Sequence, residues 1–175
     1  MTGSKKKARA MGRAMVRLGG EMGWQNTTVA EIDGMVVGVL QPASGGDGGV
    51  QAGPRLALHA LRIVGPFGIP GLLRRMKLRG RLNFARPEGS YHVAELHVDA
   101  SHRGQGIGGA LLQHAEEEAQ RLGHKSMSLV TATSNPARRL YERNGYEITD
   151  EKSDAEYEAH TGSAGRILMV KRLSE

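Results

Sequence analysis

The sequence predicts a mixed α/β sheet with helices on its faces, and three observations carry that expectation. Asp33-Gly34 separates two short runs of strand character. A strand-like run beginning at Tyr91 leads through a glycine-rich turn into an amphipathic helix. From there to the C-terminus, strand and helix patterns alternate.

The first element pair is a hairpin. Thr28 to Ile32 and Met35 to Gln41 flank Asp33-Gly34, a favoured two-residue turn. The long stretch from Pro42 to Ser90 then interrupts the sheet. Gly45 to Gly53 is glycine-rich, and Arg55 to Val64 and Gly71 to Gly80 read as two short helices broken by Gly65-Pro66-Phe67-Gly68-Ile69-Pro70. Tyr91 to Val98 mixes Val93, Leu96 and Val98 with polar residues and is the next strand. In the helix that follows, Ile107, Leu111, Ala115, Ala119 and Leu122 recur every three or four residues. Glu116, Glu117, Glu118 and Arg121 fill its other face, and Gly123 closes it. Ser126 to Thr131 is a strand. Asn135 caps and Pro136 opens a short helix with Ala137 and Leu140 facing inward, and Asn144-Gly145 stops it. A strand over Tyr146 to Thr149, an acidic connection over Asp150 to Gly165 and a last strand over Arg166 to Arg172 complete the order. Ahead of the hairpin, Lys5 to Leu18 sets Arg9, Arg13 and Arg17 on one face of a single helix.

At 175 residues the chain can form one domain with a sizeable core, and its formal net charge of +6 favours anionic partners. It has no cysteine, which excludes disulfides, thiolate metal sites and a covalent cysteine nucleophile, and agrees with a cytoplasmic location. No apolar run is long enough to span a bilayer, and the first residues lack the apolar core of a secretory signal. The carboxylates of Asp150 to Gly165 have no metal-ligand spacing, so no metal is expected. Arg74, Arg75, Lys77, Arg79 and Arg81 form a basic cluster with no acidic neighbour in sequence. A solvated helix face accounts for it. The alternatives are a lid over a substrate pocket, or contact with nucleic acid or a membrane; scarce aromatic residues disfavour single-stranded nucleic acid.

The chemistry concentrates in Arg103-Gly104-Gln105-Gly106-Ile107-Gly108. Glycines between a strand and a helix start let backbone N–H groups and the helix dipole meet a pyrophosphate. Gly104, Gly106 and Gly109 also satisfy G-x-G-x-x-G, but the following strand ends in Thr131-Ala132-Thr133, with no carboxylate for a ribose. No Lys-Ser or Lys-Thr closes the run, which excludes a nucleotide P-loop.

What fits is Gln/Arg-x-x-Gly-x-Gly/Ala, joined about 30 residues downstream by Asn135-Pro136-Ala137-Arg138-Arg139-Leu140-Tyr141-Glu142-Arg143-Asn144-Gly145-Tyr146. Together these resemble the GNAT superfamily of acyl-CoA-dependent N-acyltransferases, which carry an Asn ahead of A-x-x-x-Y-x-x-x-G-Y/F after the same cradle. The resemblance runs from about Thr28 to Arg172. It implies a single domain over 1–175, an α/β (α+β) fold with a mostly antiparallel central sheet flanked by helices. A basic helical insert over 42–90 falls between the family's third and fourth strands. Only 27 residues precede the hairpin, where the family places a strand and one or two helices. That strand is absent, or the start has been set late, or another chain supplies it. The implied reaction moves an acetyl group from acetyl-CoA, as co-substrate, to a primary amine of a small molecule, protein or peptide, by direct attack. A homodimer is a candidate assembly. Two readings of other classes stay open: a non-catalytic acyl-CoA-binding or regulatory module, and a basic nucleic-acid or membrane adaptor.

The resemblance also assigns roles. Tyr141 is the general acid, its phenol having an ordinary pKa near 10, above that of a thiol. Backbone N–H groups over Leu96, His97 and Val98, where the family opens this strand at a bulge, meet the oxyanion and the pantetheine arm. Gly104, Gly106 and Gly108 give room; Gln105, Ile107 and Gly109 act through their N–H groups. Arg103 caps the turn or contacts phosphate, and Asn135 bonds the cofactor arm as well as capping its helix. The general base is the open role. Alternation sets His92, Ala94, Leu96 and Val98 on one face and Tyr91, Val93, Glu95 and His97 on the other. His92 is apt because histidine titrates near neutrality, a bulge brings in Glu95 and His97, and an exposed site uses water alone. The acidic connection reads as solvated, with Tyr157 and His160 as the residues it would lend to an acceptor site.

Overall fold

The computed structural model describes residues 27–43, 62, 65 and 68–174. The expected helix over Lys5 to Leu18, the glycine-rich run from Gly45 and, apart from Arg62, the helix over Arg55 to Val64 lie outside the described residues. In chain order the elements are β1 (Thr28–Ile32), β2 (Met35–Pro42), α1 (Ile69–Arg81), β3 (Ser90–Val98), a 3-10 turn (Ala100–His102), α2 (Ile107–Arg121), β4 (Ser126–Ala132), α3 (Arg138–Arg143), β5 (Glu147–Ser153), α4 (Ala155–Thr161) and β6 (Gly165–Arg172).

Among the described residues the strands form one six-stranded sheet in the order β1-β2-β3-β4-β6-β5. Every pairing is antiparallel except β3–β4, which the crossover through α2 makes parallel. The expected mostly antiparallel sheet is therefore present. The β1–β2 turn has both central residues at positive φ, Asp33 at 51° and Gly34 at 75°, as a two-residue hairpin of matching twist demands.

One face of the sheet is covered by α2. Leu111, Leu112, Ala115 and Ala119 pack with Leu40, Tyr91, Val93, Met127, Leu129, Ile167 and Met169 into a single buried cluster that also takes in Tyr141 and Tyr146. Burying one large aliphatic side chain contributes about 1.5–3 kcal/mol, so this cluster is what holds β3 and β4 in place. From the insert, α1 supplies the buried Leu78, and Leu82 just beyond it is also buried.

Three sequence expectations are corrected. Pro70 lies in the first turn of α1 instead of ending a helix before it, because first-turn residues need no donor N–H. The acidic connection is no loop: β5 runs on to Ser153, and α4 follows, capped by Asp154, whose Oδ1 accepts from Tyr157 N at 2.9 Å. Glu156 and Glu158 occupy the first turn of α4, where carboxylates suit the helix dipole. The basic cluster does have acidic neighbours, brought from far along the chain. Arg74 Nη2 lies 2.9 Å from Glu156 Oε1, and Arg81 Nη1 lies 3.0 Å from Glu156 Oε2 and 3.4 Å from Asp154 Oδ2. These pairs are solvent-exposed, worth about 0–1 kcal/mol each, and they orient α1 against α4 more than they stabilise it.

Candidate active site

The parallel join is short. β3 and β4 pair only from Ser90↔Ser126 to Val93↔Leu129, although β3 continues along β2 to Val98 and β4 continues along β6 to Ala132. Beyond Val93 and Leu129 the sheet opens into a gap. Its cause is a bulge: Gln41 pairs with Glu95 and Pro42 with Val93, leaving Ala94 as the extra residue. The bulge resets the alternation, so Tyr91 and Val93 lie in the core and Leu96 and Val98 pack against that same core. The simple face assignment from sequence is corrected accordingly: Leu96 and Val98 leave the face of His92 and Ala94, and Glu95 joins it.

Backbone direction follows from the same register. Asp99 N donates to Val37 O at 2.8 Å, so by alternation Leu96 and Val98 turn their peptide groups away from β2, toward the gap, while His97 turns its own to β2. Val98 O accepts from Arg103 Nε at 3.1 Å, which fixes Arg103 as a brace between strand and turn. Leu96 thus offers an N–H to the opening.

The glycine cradle lies at the C-terminal end of β3. Asp99 begins the turn by accepting from Ser101 N at 2.9 Å and from Ser101 Oγ, and these bonds hold its carboxyl well down, at about 2. Gly104 and Gly106 have φ of 78° and 82°, a left-handed conformation that side chains resist. Gly106 caps α2 without covering its first turn, and the first helical bond is Ala110 N to Gly106 O at 3.0 Å. The N–H groups of Ile107, Gly108 and Gly109 therefore precede that bond and point out of the helix start, an arrangement suited to phosphate oxygens. Gln105 is tethered by Nε2 to Ser101 O at 3.5 Å, leaving its backbone at the crest of the turn.

Tyr141 reaches the same region from α3. Its side chain is buried, edge-on to Tyr146 with ring centroids 6.0 Å apart. Burial first, and then the charge of Glu95, raise the pKa of its hydroxyl. No described residue hydrogen-bonds to that hydroxyl. Asn135 uses both ends of its amide within the protein: Oδ1 accepts from Ala137 N at 2.9 Å and Nδ2 donates to Thr131 Oγ1 at 2.7 Å. It shapes the turn from β4 into α3, whose regular part begins at Arg138, two residues past Pro136.

On the sheet face opposite α2, a cavity of about 680 Å³ is walled by α1, α4 and parts of β3, β4 and β6. His92 lines it, sharing a 2.9 Å hydrogen bond between Nδ1 and Ser128 Oγ, which in turn shares one of 2.8 Å with Ser90 Oγ. Burial, then Arg86 and Arg166, push its pKa down to about 4, so the ring is neutral at neutral pH. Glu95 is the one acidic residue among the described lining residues; its charge adds to burial in raising the pKa of Tyr141, and it opposes the burial and the Arg79 charge that lower the pKa of Arg166. Electrostatically it stands between the buried phenol and the cavity. Tyr157 and His160 also line the cavity, from α4, so the acidic segment read as solvated does contribute to the site. Arg166 was not singled out from the sequence. Its only signal is a charged residue alternating with the core positions Ile167 and Met169, which needs the strand register to interpret.

Residues 75–148 match the family model for an acetyltransferase (GNAT) domain. Over 84 residues the chain is 35% identical to the uncharacterized N-acetyltransferase YsnE of Bacillus subtilis (strain 168), covering 46% of this chain and 52% of that protein. The match thus spans about half the length of that relative. The fold is similar to that of an IAA acetyltransferase from Bacillus cereus ATCC 14579, with a TM-score of 0.54, 19% identity and coverage of 85% of this chain and 79% of that one. It is also similar to a putative streptothricin acetyltransferase from Bacillus anthracis str. Ames in complex with acetyl coenzyme A, with a TM-score of 0.55, 13% identity and coverage of 85% and 62%. Likeness at such identities is a likeness of fold.

Proposed function

We propose that this chain, which belongs to the GNAT superfamily of N-acetyltransferases, transfers the acetyl group of acetyl-CoA to a primary amine held in the cavity behind the sheet. The observation that carries this reading is the gap beyond Val93 and Leu129, with the glycine cradle at one end and Tyr141, Leu96 and Glu95 around it. The open edge of β3 can pair with the amides of a pantetheine arm as a further strand would, while N–H groups of Ile107, Gly108 and Gly109 receive the pyrophosphate.

Four roles follow for the chain's own groups. Leu96 N–H donates to the carbonyl oxygen as it gains negative charge. Glu95 receives the proton that the acceptor nitrogen must lose as its bond to the acetyl carbon forms. Tyr141 gives its proton to the sulfur as the carbon–sulfur bond breaks, and regains one from solvent. His92 is neutral at neutral pH and its Nδ1 is engaged with Ser128 Oγ, so it positions the acceptor through its ring, and the proton passes to Glu95, the lining carboxylate beside the gap.

The decisive experiment is calorimetric titration with acetyl-CoA, followed by thiol release on a panel of amines. Binding of the donor with amine-dependent thiol release is expected. A protein that binds no acetyl-CoA ends this reading.

A further inference from the structure

The charge around the cavity carries the reading one step further. Helix α1 presents two basic stripes. Arg74 and Arg81 spend theirs on Glu156 and Asp154 of α4. Arg75 and Arg79, one helical turn apart on the adjacent stripe, line the cavity instead and form no ion pair with any described carboxylate. Across from them Arg166 lines the cavity from β6, with Nη1 donating to Asn83 Oδ1 at 3.2 Å and likewise no carboxylate partner among the described residues. Arg166 is partly buried, and burial followed by the charge of Arg79 lowers its pKa; the same positive field helps push His92 down to about 4. Arg75, Arg79 and Arg166 thus share a partly enclosed space with a single carboxylate, Glu95, among the described lining residues, and Glu95 acts on Tyr141 as well as on Arg166. That excess of positive charge is unfavourable, and a bound oxyanion relieves it.

We propose that the acceptor is a small amine that also carries an oxyanion, a carboxylate or a phosphate, gripped by Arg166 and Arg79 with Arg75 beside them, so that its amine lies at Glu95. The planar fork of a guanidinium matches either oxyanion in two-point contact. This deepens the acetyl-transfer reading and rests on it.

The test uses the full chain, saturating acetyl-CoA and matched amines: glycine against glycinamide, and phosphoethanolamine against ethanolamine. The anionic member of at least one pair is expected to have a kcat/KM about 10- to 100-fold higher, and which pair does so separates carboxylate from phosphate. Arg79→Gln and Arg166→Gln each remove most of that preference, read as the ratio of kcat/KM for the anionic partner to that for the neutral one. Arg74→Gln, on the stripe facing α4, leaves it intact. Arg79 lies on a helix surface, so its variant keeps the fold if the Arg166 variant does not. Neutral amines acetylated as well as their anionic partners overturn the inference and leave acetyl transfer standing. If no amine is acetylated, calorimetry with acetate and inorganic phosphate decides: binding that Arg79→Gln abolishes supports the anion site, and no binding of either overturns it.

Discussion

Tyr141 retains its proton through the neutral range because burial and Glu95 both oppose the phenolate. Its capacity as an acid is fully present below that raised pKa and is lost only above it. Tyr141→Phe is expected to lower kcat by about 10²- to 10⁴-fold with little change in acetyl-CoA affinity, read by steady-state kinetics and calorimetry; an undiminished kcat removes the assignment. Glu95→Gln should cost a factor within the same range, and His92→Ala much less. His92 makes a separate, thermodynamic prediction. Its pKa is 6.5 ordinarily and about 4 in the fold, so between those values the unfolded chain binds a proton that the folded chain refuses. Stability is full above about pH 6.5 and falls as pH drops through that window. Urea unfolding at pH 7.5 and 5 should show the loss, and His92→Gln should flatten it. The Asp99 contribution lies lower, between 3.8 and about 2, so the two do not overlap. The motif around Tyr141 is contiguous and so readable in the sequence, whereas Arg166 was not singled out, because only the register of β6 brings its side chain to the cavity.

The same division runs through the elements. α2 was legible end to end, since its apolar period, its glycine stop and its preceding turn are all local. α1 was placed but started late, because Pro70 acts as a breaker or as a first-turn residue according to what precedes it. α4 was missed, although Asp154, Glu156 and Glu158 carry the chemistry of a capped helix start, because seven residues are too few to establish a period. The bulge at Ala94 was anticipated only as a possibility, since it depends on the register with β2. β6 makes its own prediction. A Cβ at Gly165 would sit 2.0 Å from Lys152 O, and that atom is backbone in the paired strand β5. Gly165→Ala is expected to cost about 3 kcal/mol or more, seen as a lower urea midpoint at an unchanged slope. Alanine tolerated without loss would mean that β5 and β6 do not meet as described.

For the whole molecule, the alternation of strand and helix together with the family resemblance implied a mostly antiparallel sheet flanked by helices, whereas the cavity was not implied, because its lining is drawn from α1, β3, β4, α4 and β6, far apart along the chain. A ligand that completes the sheet should stabilise it by mass action: coenzyme A at 100 times its Kd is expected to add about 2.7 kcal/mol, visible as a higher Tm. Four residue pairs hold β1-β2-β3 to β4-β6-β5 at one end only. Each half is a complete antiparallel ribbon, so opening them at the far end breaks no ladder. On the proposed reading, a spent donor lodged there would be a temporary strand, and letting it go would mean peeling apart a sheet that it had just finished. Product departure and the opening of that end of the sheet would then be the same motion. A substitution that zips β3 to β4 past Val93 would yield a hardier protein with nowhere to put its donor.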